Sequence, residues 1–401
     1  MRVTELRLRQ LRGVMEFGGD FWEERLIRPI DIYPEHRAEG PAFLDKLGEG
    51  SYRIEATFVE LLTDEGVSGT GGPISLDQAF IIDTQLRGLV EGSDPLAHEL
   101  IWDKLYRYAV HGRKGPTMMA ISAIDCALWD LKGRWANTPV HRLLGGPTRQ
   151  QIPAYASALG YSIEPEQAAA RAREFVGQGY RATKWFFRNG PSDGRDGMAR
   201  NVELVRALRE AVGENVDVML DCWMSWDVPY TVAMAERLDE FSPRWLEEPV
   251  MPDKIESYAE IRRRVAIPIS GGEHEYTRWG LKQLMDAAAV DVLQPDIYWA
   301  GGISEMLKIC ALASTYDLPV IPHGHSTPAS AQLIASQPPN LCPLLEYLVK
   351  WNEVHQFFLK RPLKPEGGLV MVPDAPGMGM ELDEAKIQQE RVLRWGTMPW
   401  T

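Results

Sequence analysis

The sequence is poor in cysteine. Its four, Cys126, Cys222, Cys310 and Cys342, are far apart in 401 residues, and three sit inside apolar patterns. That excludes a disulfide framework and leaves reduced core residues, so a cytoplasmic location is expected. No apolar run approaches the roughly 18 residues of a membrane helix, and the opening MRVTELRLRQ lacks the apolar stretch of a secretory leader. Basic clusters are absent beyond Arg262, Arg263 and Arg264, and a net charge of −13 repels a nucleic-acid backbone. Neither nucleic acid nor membrane is expected as a partner. No low-complexity segment, linker or collagen pattern occurs, because Gly and Pro are scattered singly and in short clusters.

What remains is 45% apolar and 25% charged, enough for a large core divided over two domains. The stretch YRIEATFVELLTDEGVSGTGG alternates around a turn at Asp64, Glu65 and Gly66 and predicts an antiparallel hairpin. Residues 16–50 show no period and form a candidate lid. From 76 to 144 the pattern is helical, most clearly in TMMAISAIDCALWDLKGRW, whose apolar residues recur three and four apart.

Beyond 150, strand-like segments are expected at 151–159, 180–187, 216–223, 244–250, 267–275, 291–299, 319–325 and 344–348, with helical stretches between most of them. Eight strands with intervening helices fit a (β/α)8 barrel better than an open sheet, and no G-x-G-x-x-G follows the first strand. The last fifty residues are expected to return to the first domain, with Phe357, Phe358 and Leu359 supplying a strand.

The acids at the strand ends carry the chemistry. Asp221, Glu247 and Glu273 fall near the ends of the third, fourth and fifth predicted strands, 26 residues apart in both intervals. Such a trio converges at one rim, where mutual repulsion demands a cation, and all-oxygen ligation favours Mg²⁺. The plainer reading makes each acid a helix cap or an arginine partner; the even spacing argues against it. Glu248, next to Glu247, is assigned either to the helix side or to a supporting position behind the metal ligands.

The next strands deliver Asp296 in QPD and His323 in PHG, a carboxylate–imidazole pair in which His323 reads as a base rather than a core histidine. His325 either touches substrate hydroxyls or lines the rim. Glu346 either donates to or orients a developing enolate oxygen, or is a buried acid satisfied by an arginine. Lys184 either meets a negative substrate group or snorkels out of the rim.

In these motifs, MLDCW, WLEEP, GGEH, QPD, PHG and LLEYL, the chain resembles the enolase superfamily, in its mandelate racemase-like branch and near the acid-sugar dehydratases related to L-rhamnonate dehydratase. The resemblance implies a modified (β/α)7β TIM barrel at 146–355, an α+β capping domain at 1–145, and a segment 356–401 that returns to the cap. It implies metal ligands Asp221, Glu247 and Glu273, catalytic residues His323, Asp296, Glu346 and Lys184, and a homo-oligomer, with an octamer among its forms.

One departure is on strand two, where Phe186 stands in place of a second lysine. It favours dehydration over racemisation. The expected activity is a Mg²⁺-dependent dehydratase of a sugar acid, an aldonate like L-rhamnonate or an isomer such as L-mannonate. His323 removes the C2 proton to give a metal-stabilised enediolate, and the 3-hydroxyl leaves to give a 2-keto-3-deoxy acid. His36, Arg37, Arg53 and His325 are candidate substrate contacts, and the loops 28–50 and 111–116 are expected to close over the sugar. The competing readings are a racemase, epimerase or cycloisomerase, and a noncatalytic metal-dependent binding or assembly module.

Overall fold

The computed structural model describes residues 1–37 and 44–396. Positions 38–43 of the candidate lid lie outside the described residues. In the N-terminal part, β1 (Val3–Glu16), β2 (Asp45–Gly48), β3 (Ser51–Thr63) and β4 (Ser68–Ile74) form an antiparallel sheet around β3. The β3–β4 hairpin turns where the sequence places it, with Gly66 at φ +76°. The helix Pro116–Trp135 lies across β4, and the fit is at backbone distance. A Cβ on Gly69 would stand 2.3 Å from the Ala127 carbonyl oxygen.

The barrel strands are β5 (Gln151–Ser157), β6 (Ala182–Phe186), β7 (Asp217–Asp221), β8 (Trp245–Glu247), β9 (Ile269–Gly271), β10 (Val292–Leu293) and β11 (Leu345–Leu348), paired in parallel from β10 round to β5 and β11. Seven helices of ten residues or more separate these segments among the described residues: Pro165–Gly177, Gly194–Val212, Val228–Leu238, Ile255–Arg264, Thr277–Asp286, Gly302–Ser314 and Thr327–Ser336. The architecture is the modified (β/α)7β barrel with an α+β cap. β12 (Leu369–Met371) pairs antiparallel with β5, and β13 (Gln389–Val392) pairs with β1.

Several strands are shorter than the sequence suggests. The expected strand 319–325 is reduced to one parallel bridge from Val320 to Leu293, because Pro319 and Pro322 have no N–H to give to a ladder. Strand 291–299 stops at Leu293 before Pro295, and a short helix occupies Ile297–Ala300. β8 ends where Glu248 adopts φ +40°. Phe357, Phe358 and Leu359 form a turn rather than a strand. The two phenylalanine rings pack edge to face, and Leu359 makes an isolated bridge to Leu382.

Candidate active site

Inside the barrel, side chains two apart on a strand occupy successive layers. Tyr155, Ala182, Met219, Trp245 and Ile321 form a closed apolar layer. Two residues on from the last four come Lys184, Asp221, Glu247 and His323, and two on from Leu344 comes Glu346. The strand period therefore sets a polar layer on an apolar floor.

Lys184 sits at the centre of that layer and is 1% exposed, so its ammonium does not snorkel to the rim. Its Nζ pairs closely with Glu247, and lies 2.7 Å from Glu346 Oε1 and 3.3 Å from Asp221 Oδ2. Glu247 also accepts from the Trp245 indole at 3.0 Å and from Gln294 Nε2 at 2.8 Å. Burial would lower the Lys184 pKa, but Glu247 and Glu346 reverse it and hold it well above 10.5. One ammonium cannot balance three acids. Burial, only partly offset by Lys184, pushes Asp221 up to about 6 and raises Glu247 as well.

Asp296 divides its carboxylate between two tasks. Oδ1 accepts from the Tyr298 N–H at 2.7 Å and caps the short helix, while the His323 Nδ1–H donates to Oδ2 at 2.7 Å. That bond fixes the ring so that Nε2 faces Glu273, 3.6 Å from its Oε2. Gly324 is needed for close approach, since a Cβ there would stand 2.8 Å from Glu346 Cγ. Its N–H donates to Glu346 Oε2 at 2.9 Å. Burial would raise the Glu346 pKa, yet Lys184 and His323 bring it below the ordinary range. Glu346 thus accepts from the Gly324 N–H and pairs with Lys184, where the plainer sequence reading had an arginine.

The left-handed backbone at Glu248 turns its carboxylate back over the rim instead of toward the helices. There it accepts from the His274 Nδ1–H at 2.7 Å. Donor atoms of Glu248, Glu273 and His274 lie within 4.8 Å of one another, a grouping able to hold a cation. Asp221 and Glu247 are register partners on β7 and β8, but their carboxylates are drawn to Lys184. Glu273 instead joins Glu248 and His274. The structure thus brings two of the three sequence-assigned ligands together at Lys184 and sets the third beside a pair that the sequence reading did not assign.

The donor set fits a hard divalent cation. Six buried carboxyl groups, Asp221, Glu247, Glu248, Glu273, Asp296 and Glu346, face Lys184, His274 and His323. Burial raises Glu273 too. The excess of buried negative charge is what a cation with oxygen ligands would relieve.

A cavity of about 360 Å³ opens over this layer. Asp221, Glu273, His323, His325 and Lys184 line it, and so do His274 and His355, which the sequence reading left out. From the N-terminal segment come Trp22, Arg25, Leu26 and Arg28. The other proposed substrate contacts lie elsewhere. Arg53 is exposed on β3 and paired with Asp45, because its neighbours on β3, Tyr52 and Ile54, take the buried face. Arg37 faces Asp193 at 3.6 Å and donates to the Asp31 carbonyl, and the His36 carbonyl accepts from Arg28. Of the two expected closing loops, 28–50 reaches the cavity through Arg28, whereas Lys114 in 111–116 pairs with Glu275 at 2.6 Å and lines no part of it.

Two family descriptions match. Residues 167–386 match the enolase C-terminal domain-like family, and residues 51–145 match the N-terminal domain of mandelate racemase and muconate lactonizing enzyme. The chain is 34% identical to an L-rhamnonate dehydratase of Saccharopolyspora erythraea, over 94% of this chain and 97% of that protein. The crystal structure of rhamnonate dehydratase from Gibberella zeae complexed with Mg superposes with a TM-score of 0.82 at 30% identity, covering 96% of each chain. A racemase from Streptomyces coelicolor with bound magnesium superposes at 0.79 and 27% identity, covering 96% of this chain and 98% of that one. These relatives are enzymes, which sets aside the noncatalytic reading.

Proposed function

Because the chain belongs to the enolase superfamily, in its mandelate racemase/muconate lactonizing enzyme branch, we propose that it is a Mg²⁺-dependent dehydratase of a sugar acid of the L-rhamnonate kind. The observation that carries this reading is the His323–Asp296 pair beside Glu273, facing a cavity of sugar size. Asp221, Glu247 and Glu273 are the proposed ligands, with Glu248 and His274 as the neighbouring donors. Bound there, the cation would draw charge from the substrate carboxylate and acidify the proton at C2.

His323 Nε2 takes the C2 proton, with Asp296 holding the tautomer and favouring the charged ring that results. Lys184 does not offer a free proton to the opposite face, since Glu247, Glu346 and Asp221 surround it. The proton on His323 therefore passes to the departing 3-hydroxyl on the same face. The C3–O bond breaks, water leaves, and the enol tautomerises to a 2-keto-3-deoxy acid. Glu346 fixes the PHG turn through the Gly324 N–H and so fixes the base. Trp299, tilted against His323 at 5.0 Å between centroids, excludes water from the reacting end.

A second reading is racemisation or epimerisation, favoured by one observation. His274, paired with Glu248, gives the cavity a second imidazole able to exchange protons. A panel of aldonates with Mg²⁺ in D₂O separates the two. Ketoacid formation supports dehydration; solvent deuterium at C2 with inversion and no ketoacid replaces it with the second reading.

A further inference from the structure

Most polar groups of the cavity are committed. Lys184, Asp221, Glu273, His274 and His323 belong to the reacting centre, and Arg25 and Arg28 are tied to Asp31 and to backbone carbonyls. His355 differs. It ends the helix Val349–His355 that follows β11, lines the same cavity, and has a buried Nδ1 with no hydrogen-bond partner. Its ring is tilted against His325, at 4.8 Å between centroids, and stacks on Trp351, at 5.6 Å.

Its place relative to the base follows from a series of ring contacts. His323 touches Trp299 at 5.0 Å, Trp299 touches His325 at 6.0 Å, and His325 touches His355. Beyond it, Trp351 meets Trp22 of the N-terminal segment at 6.2 Å. The series runs from the reacting end toward the cap wall. A sugar acid whose carboxylate lies at the acids therefore extends its carbon chain past His355.

We propose that His355 is a specificity-determining residue that hydrogen-bonds the substrate hydroxyl at C4 or C5, so that the cavity selects a hydroxylated carbon there over its deoxygenated analogue. This rests on the sugar-acid reading above. Burial and the neighbouring His325 and His323 keep the imidazole neutral, well below 6.5. A neutral ring presents one donor and one acceptor; a backbone hydrogen bond at His325 engages the ring, and a hydroxyl can satisfy the nitrogen left over. A buried ring nitrogen left without a partner is costly, so an analogue lacking the hydroxyl is rejected more strongly than its lost contact area would suggest.

The test compares wild type, His355→Phe and His355→Gln on L-mannonate, on its 6-deoxy form L-rhamnonate, and on the 4- and 5-deoxy analogues of L-mannonate with Mg²⁺, by steady-state kinetics and calorimetric binding. In wild type, either the 4-deoxy or the 5-deoxy analogue is expected to show KM about 10- to 100-fold above that of L-mannonate, while L-rhamnonate is not rejected. In His355→Phe, L-mannonate loses that factor and the same analogue loses none, with kcat unchanged within about threefold; His355→Gln recovers part of the loss.

Equal KM ratios across the analogues in wild type and His355→Phe overturn the proposal, whether the variant has no effect or weakens all four alike. A wild type that does not discriminate among the analogues overturns it without any variant, should His355→Phe fail to fold. Binding without turnover moves the same comparison to dissociation constants. If wild type neither binds nor converts any of the four, the sugar-acid reading itself fails, and this inference falls with it.

Discussion

His323 is held by opposing influences. Burial works to lower its pKa, but Glu273 and Asp296 outweigh burial and carry it up to about 10. A base acts only when neutral, and a cation on Glu273 would offset the largest raising influence, so the acid limb of the Mg²⁺-loaded enzyme is expected below that value. Asp296→Asn removes one raising group. The acid limb of kcat/KM is expected to move down by about 1–3 units, while kcat falls about 10²- to 10⁴-fold as the ring loses its fixed tautomer. A pH–rate series on wild type and variant measures both. His323→Asn should go further and abolish incorporation of solvent deuterium at C2, read by proton NMR, with the thermal midpoint little changed. Retained exchange would move the base to His274.

At the scale of elements, the site's positions are set by where strands stop. Asp221, Glu247, Glu346 and Lys184 lie on strands and obey the two-residue period, which is why the sequence revealed them. Glu273, Asp296 and His323 follow shortened strands, yet remain close enough to the ends for the same reasoning to find them. Glu248 and His274 were not legible as a pair, because the left-handed turn at Glu248 breaks the alternation, which left its carboxylate open between the helix side and a place behind the ligands. The adjacency of His274 to Glu273 was the signal available. Arg25 and Arg28 come from a stretch with no period, and His355 from a helix beyond the last barrel strand; pattern could not reach either.

The same scale governs the cap. β4 meets the helix Pro116–Trp135 with no space for a side chain at Gly69, where a Cβ would also lie 2.5 Å from Leu131 Cβ. Gly69→Ala must push the helix off the sheet, and a loss of about 1–3 kcal/mol is expected in denaturant unfolding. An unchanged midpoint would mean that the two elements slide freely.

For the whole molecule, buried acids make stability depend on pH and on metal together. Burial raises Asp221 from 3.8 to about 6 and Asp125, which takes hydrogen bonds from Ser304 between cap and barrel, from 3.8 to about 7. A raised folded pKa means stability that is full below about 4 and is lost as pH rises through about 6 for Asp221 and about 7 for Asp125. A cation offsets the loss at Asp221, not at Asp125. Mg²⁺ is therefore expected to raise the unfolding temperature more at pH 8 than at pH 5, where protons compete for the same oxygens, and EDTA to remove the gain. Equal shifts at both pH values in calorimetry would place the cation away from these carboxylates.

The pairing of β13 with β1 has a consequence for handling the chain. β1 is fourteen residues long, and β13 covers it at Arg9–Arg12. Removing the stretch after residue 388 would strip that cover and leave a ready template for strand addition by a second molecule. A version shortened there should gather into oligomers of no fixed size, with its barrel still folded.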